Sequence, residues 1–197
     1  PELGWEVRPF VYQGSGDLYV RENARLRMEL SARKADVTLR VSMRQGATVG
    51  PQFPKHVLMT ASAVGAIMAG AALVHGCAMV GPDGVATLFL GASGDGKSTM
   101  SRRLPGWRLL ADDTVCVEAL QGEPGVWVSG TPFHGSERLP RCGDRVPLAR
   151  IFVLAPHAER LALTSISSAE LYSALVNRVF CPLTNGPVPR EVTEWAE

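Results

Sequence analysis

The chain has 197 residues, 46% hydrophobic and 20% charged, with 20 basic and 19 acidic side chains and a net charge of +1. That length can bury a real core as one domain, or as a domain with a small annex, and so apolar a chain is not disordered. A protein that tracks nucleic-acid phosphates carries a basic excess, which this one lacks.

In chain order, residues 1–50 alternate between apolar and polar rather than cycling with a helical period. Strands are expected at 5–11, 18–20 and 37–41, with a turn at Gly14-Ser15-Gly16-Asp17. Residues 25–30 fit a strand or a helix equally. A loop over 46–54 precedes a helix over 55–69 that carries Val57, Ala61, Val64 and Met68 on one face. The uncharged run 57–74 reaches the lower length limit of a membrane span, but its many alanines and its glycines leave it weakly hydrophobic. A buried helix followed by a strand is the expectation.

The middle of the chain is dense in strands. They are expected at 73–80 and 85–90 about a tight turn at Gly81-Pro82-Asp83-Gly84, then at 108–111, 114–118, 126–129 and 151–154. A short helix over 97–104 is stopped by Pro105-Gly106. Residues 121–150, rich in glycine and proline and carrying Arg138, Arg141, Arg145 and Arg150, read either as a mobile loop over an anionic ligand or as a solvated surface loop. Ser167 and Glu170 form a capping box ahead of a helix over 171–180, halted at Cys181-Pro182.

The organisation predicted is a β-rich segment over 1–50 packed on a core over 51–181, with a C-terminal tail over 182–197. The start at Pro1 and the end at Glu197 read as those of a fragment, or of a longer chain with missing ends. Cys77, Cys116, Cys142 and Cys181 form no Cys-x-x-Cys pair and no zinc-finger spacing, so reduced core thiols in a cytoplasmic protein are expected.

Gly91-Ala92-Ser93-Gly94-Asp95-Gly96-Lys97-Ser98, followed by Thr99, fits the phosphate-loop pattern. In such a loop backbone N–H groups converge on phosphate oxygens and the next helix points its positive end at them. Lys97 would reach the β- and γ-phosphates of ATP, and the Ser98 hydroxyl would ligate Mg2+. The context required of the motif, an apolar strand in and a helix out, is present.

Asp112-Asp113 follows the mostly apolar run 107–111. A carboxylate at a strand end beside a phosphate loop is where magnesium is held. Two adjacent carboxylates on an extended chain point to opposite sides and must differ in role. One would hold the metal or its water, and the other would take a proton from an attacking hydroxyl. His75 interrupts an apolar run and is either a core or edge residue or a member of the site. Gly130-Thr131-Pro132-Phe133-His134-Gly135 either lines the site or is a plain connector.

Leu73-Val74-His75-Gly76, the phosphate loop with its strand, and Leu109-Leu110-Ala111-Asp112-Asp113-Thr114-Val115, in that order and at close spacing, resemble the catalytic domain of HPr kinase/phosphorylase, whose fold is related to that of phosphoenolpyruvate carboxykinase. The resemblance is strong over residues 70–118. It implies an α/β phosphate-loop kinase core with a β-rich N-terminal layer. It further implies Lys97 and Ser98 on ATP and magnesium, Asp112 as general base for a serine hydroxyl, and Asp113 and His75 positioning that base or the metal, with Asp113 the second metal ligand. Ring-like oligomers in that family imply self-association.

The Arg-Gly-Leu-Gly type signature of the family's bifunctional members is replaced here by residues 128–136, Val-Ser-Gly-Thr-Pro-Phe-His-Gly-Ser. This is more similar to the shorter HPr-kinase-like proteins, some of which phosphorylate a serine of a precursor peptide. The expected activity is transfer of the γ-phosphoryl of ATP to a hydroxyl of a peptide or protein, with no nucleic-acid or membrane partner. A non-catalytic ATP sensor and a small-molecule kinase are the alternatives. A guanine-nucleotide switch is a poor fit, since the sequence has no Asn-Lys-x-Asp motif.

Overall fold

The structure is a computed structural model that describes residues 13–15, 18–22, 26–33, 36–92, 94–119, 122, 124–135, 142–155 and 162–181. The expected strand at 5–11 and tail at 182–197 lie outside these residues, as do Ser93, Arg138, Arg141 and the centre of the first turn. The chain divides into two compact units, residues 1–69 with 180–189 and residues 70–179 with 190–197.

In the first unit, β1 (Gln13–Ser15), β2 (Leu18–Glu22), β3 (Leu26–Arg33) and β4 (Asp36–Met43) form an antiparallel meander in chain order. The ambiguous stretch 25–30 is strand because its alternation is used: Met28 and Leu30 are fully buried, while the Arg27 Nε donates to Glu29 Oε1 at 2.8 Å between them. The helix α1 (Phe53–Met68) begins two residues earlier than expected, with proline tolerated in its first turn, and packs Phe53, Val57 and Val64 against Met28 and Leu30. Its buried positions are Thr60, Ala63 and Val64, and Met68 is 38% exposed, so the buried face is turned from the expected one. Thr60 is buried without an orphan hydroxyl because its Oγ1 donates to the His56 carbonyl at 2.8 Å.

The second unit contains β5 (Ala71–His75), β6 (Cys77–Val80), β7 (Ala86–Leu90), α2 (Lys97–Arg103), β8 (Arg108–Ala111), β9 (Thr114–Glu118), β10 (Trp127–Gly130), β11 (Arg145–Val153) and α3 (Ser168–Val176). Its seven-stranded sheet has the order β5-β9-β10-β11-β7-β6-β8. Every neighbouring pair is antiparallel except β11 and β7, which makes the unit a mixed α/β structure.

Two breaks in this sheet shape everything built on it. The run 73–80, expected as one strand, is divided at Gly76, and β8 is divided from β9 at Asp112–Asp113. A Cβ at Gly76 would lie 3.0 Å from Leu88 Cδ1 and 3.1 Å from the Phe89 carbonyl, so the chain passes too close to β7 for a side chain. The Gly76 N–H donates to the Asp113 carbonyl at 3.0 Å, which sets the two breaks side by side. Both end strands of the sheet therefore continue into inner strands, β5 into β6 and β8 into β9.

β5, β6 and β7 are buried almost throughout, as strands covered on both faces should be. Leu88, Leu90 and Leu110 are wholly buried in one cluster, each contributing roughly 1.5–3 kcal/mol of burial. Cys77, Met79, Phe89 and Leu109 form a second cluster, with Met100 and Leu104 of the α2 segment and Trp107 against it. The turn 81–84 closes as expected, with Gly84 N–H on the Gly81 carbonyl and Gly81 N–H on the Val85 carbonyl, both at 3.0 Å.

The reading of 121–150 as one long loop is corrected. Arg145 to Arg150 belong to β11, which starts six residues before the expected strand because it pairs with β10 and then β7. Arg145 lies over the Trp127 ring at 4.4 Å and meets Glu118 at 2.7 Å, and Arg150 meets Asp83 at 2.9 Å. Both are structural ion pairs, not arms over a ligand. The capping box on α3 is formed, with Ser167 N–H on Glu170 Oε2 at 2.7 Å and Glu170 N–H on Ser167 Oγ at 3.3 Å. The helix stops at Val176 rather than 180, because Val179 forms a bridge with Val74. No helix among the described residues is long and apolar enough to cross a membrane.

Candidate phosphate-loop site

The loop joining β7 to α2 turns on two glycines. Gly94 (φ +92°) and Gly96 (φ +93°) occupy the left-handed region that other residues resist, and Gly96 is the cap from which Lys97 opens the helix. The Asp95 carboxylate folds back to accept the Ala92 N–H and fixes the loop's entry. Gly91 sits tightly in this closure, since a Cβ there would lie 3.1 Å from Asp95 Oδ2 and 3.3 Å from Leu154 Cβ and would make those side chains shift.

Lys97 is 7% exposed, and its ammonium donates to the carbonyls of Gly91 at 2.8 Å and Ala92 at 2.7 Å. Two of its three N–H donors are thus used by the loop, leaving one. Burial lowers its pKa from the usual lysine value, opposed by the charges of Asp95 and Asp113, and Arg178 pushes in the same direction as burial. Thr99 lies exposed on the first turn of α2. The Ser98 side chain lies outside the described residues, so its expected metal contact does too.

The breaks in the sheet bring the acidic pair to the histidine. Asp112 is 5% exposed, and Asp113 Oδ1 lies 3.5 Å from His75 Nδ1. Burial and the Lys97 charge lower the His75 pKa, Asp113 raises it through its charge and a backbone hydrogen bond, and Arg178 lowers it again. The net direction is downward, so at neutral pH the pair is a neutral imidazole beside a carboxylate rather than an ion pair. Cys77, under the loop, is pushed up to about 12 by burial and by Asp112, and is an inert core thiol.

The Thr131–Gly135 stretch lines this place. Thr131 Oγ1 donates to the Thr114 carbonyl at 2.6 Å, and Phe133 is buried as an anchor. A Cβ at Gly135 would lie 3.7 Å from Asp112 Oδ2 and 3.6 Å from Asp113 Cβ. His134 turns to the Gly135 carbonyl, its Nδ1 2.9 Å away, which puts the proton on that nitrogen.

Lys97, His75, Asp112 and Asp113 are therefore one constellation. Sequence reasoning missed Arg178, which follows α3 and acts electrostatically on both His75 and Lys97. Its only local signal is that of a cation at the end of a helix, which is common and says nothing of a site.

Among the described residues no group of three or more His, Cys, Asp or Glu side chains could hold a metal ion. Magnesium does not require one, since it binds through one or two carboxylates with phosphate and water oxygens. Asp113, half-buried beside the loop's lysine, fits that mode. No family model matches the chain. No curated protein matches it by sequence.

Proposed function

We propose that this protein is an HPr-kinase-like enzyme that transfers the γ-phosphoryl of ATP to a hydroxyl, a serine of a peptide or protein. The observation that carries the reading is the convergence of a buried Lys97 in a glycine-turned loop with Asp112, Asp113 and His75. A nucleotide-binding loop alone needs no buried carboxylate at its side, whereas phosphoryl transfer uses one to orient and deprotonate the acceptor.

In this reading Gly91 to Gly96 and Lys97 hold the phosphates, and Asp113 with Ser98 hold magnesium, which neutralises phosphate charge when bound. Asp112 receives the proton of the acceptor hydroxyl. The hydroxyl oxygen forms the new bond to the γ-phosphorus as the bond to the ADP oxygen breaks. His75, kept neutral by burial and by Lys97, holds Asp113 in place without drawing its charge away. The four free thiols suit a reducing, cytoplasmic setting.

The test is incubation of the protein with magnesium and γ-labelled ATP, with a panel of serine-containing peptides and proteins and small alcohols. Label on a peptide or protein serine supports the reading. Label on small molecules alone makes it a small-molecule kinase. ATP binding without transfer to any acceptor makes it a sensor.

A further inference from the structure

We propose that Asp95 sets the nucleotide affinity of the loop: its carboxylate clasps the loop in shape and, by its charge, keeps phosphate from being held tightly. This inference deepens the kinase reading above and rests on its phosphate-loop assignment.

Ala92 is the hub of the closure. Its N–H donates to Asp95 Oδ2, and its carbonyl accepts from the Asp95 N–H at 3.3 Å and from the Lys97 ammonium at 2.7 Å. Asp95 therefore holds Ala92 through both its side chain and its backbone. It also lies close over Gly91, where a Cβ would fall 3.1 Å from both Asp95 Cβ and Asp95 Oδ2. A clasp is needed here, because Gly94 and Gly96 leave the loop backbone unusually free. An ionised acceptor makes the stronger bond to an N–H, which suits that task.

The bond alone does not require the charge, since the amide oxygen of an asparagine on the same stem would accept the same N–H. The charge has a consequence of its own. A triphosphate brought to this loop meets a like charge already seated in it. Burial lowers the pKa of Lys97, while the charges of Asp95 and then Asp113 favour its protonated form, so phosphate competes for a cation that two carboxylates already share. In the reading above Asp113 turns to magnesium, whereas Asp95 stays on a backbone N–H and keeps its charge against the phosphates. Asp95 is only half-buried, so this repulsion is partly screened and depends on salt. The loop is thus preformed for nucleotide yet releases it readily, which favours departure of ADP after transfer.

Calorimetry with magnesium-ATP and magnesium-ADP on the wild type and Asp95→Asn tests this. The asparagine keeps the acceptor and removes the charge, so the Kd for ATP should fall about 3- to 30-fold. The Kd for ADP should fall by less, because ADP carries less charge. Both gains should shrink as salt rises from about 50 to about 500 mM. Asp95→Glu, which keeps the charge but displaces it from the Ala92 N–H, should bind ATP no more tightly than the wild type. Unchanged or weaker ATP binding in Asp95→Asn, or an equal gain in Asp95→Glu, overturns the inference. Weaker binding joined to a higher magnesium requirement would make Asp95 a carboxylate of the metal instead. A wild type that binds ATP but transfers nothing removes the kinase reading and leaves this inference standing, and one that binds neither nucleotide removes both.

Discussion

The His75 Nδ1 lies 3.5 Å from the Asp113 Oδ1, yet its imidazole is held neutral, because burial and the Lys97 charge outweigh the pull of the carboxylate. The folded pKa lies below the 6.5 of a free histidine, so the unfolded chain binds the proton first as pH falls. This stabilising contribution is complete above 6.5 and is lost as pH drops through the folded value. His56 is lowered as well, by burial and Lys55, and adds in the same direction. Melting temperature should therefore fall between about pH 7.5 and about pH 5.5, and fall less in His75→Gln. Identical slopes in the two proteins would mean that His75 titrates as it does in the unfolded chain.

Lys97→Ala removes the buried ammonium and its remaining donor toward the phosphates. Transfer should be lost, and calorimetry should show magnesium-ATP affinity reduced at least about tenfold. Wild-type affinity in this variant would remove the phosphate-loop assignment.

In the proposed reaction the acidic pair divides its work. Asp112→Asn keeps shape but cannot accept a proton, so kcat should drop about 10²–10⁴-fold with nucleotide Kd nearly unchanged. Asp113→Asn should raise the magnesium requirement and weaken magnesium-ATP binding. Kinetics across a magnesium series distinguishes them, and the opposite pattern exchanges the roles.

Gly130 leads β10 toward the site through a gap with no room for a side chain. A Cβ there would fall 2.2 Å from the Cys142 carbonyl oxygen and 2.6 Å from that of Leu110, both backbone atoms. Gly130→Ala should cost about 3 kcal/mol or more by urea unfolding. Gly143→Ala, where nothing lies within 4 Å, should stay within about 0.5 kcal/mol. Similar midpoints for the two would contradict the close approach.

Ser167→Ala breaks the capping box at the start of α3. The expected loss is about 1 kcal/mol in thermal or urea unfolding, and an unchanged midpoint would mean that the cap adds nothing.

Short-range signals were legible in the sequence because their causes are local. The glycine-rich loop before α2 needs Gly94 and Gly96 for left-handed turns, the capping box needs Ser167 three residues before Glu170, and the 81–84 turn closes on itself. Each lies within a few residues, as do the bounds of β8 and β9. The sequence therefore determined where the loop, its strand and helix, and the acidic pair fall along the chain.

Only tertiary structure decided what those parts meet. Gly76 divides a run that reads as one strand, because β7 passes within contact distance of it. β11 begins at Arg145 because β10 and β7 supply its partners, and those partners turned supposed ligand arms into ion pairs with Glu118 and Asp83. Arg178 reaches the site through a bridge to Val74, more than a hundred positions earlier in the chain. Backbone pairing and close approach between distant segments leave no periodic trace in either segment alone, and so the residues of the candidate site were readable before their geometry.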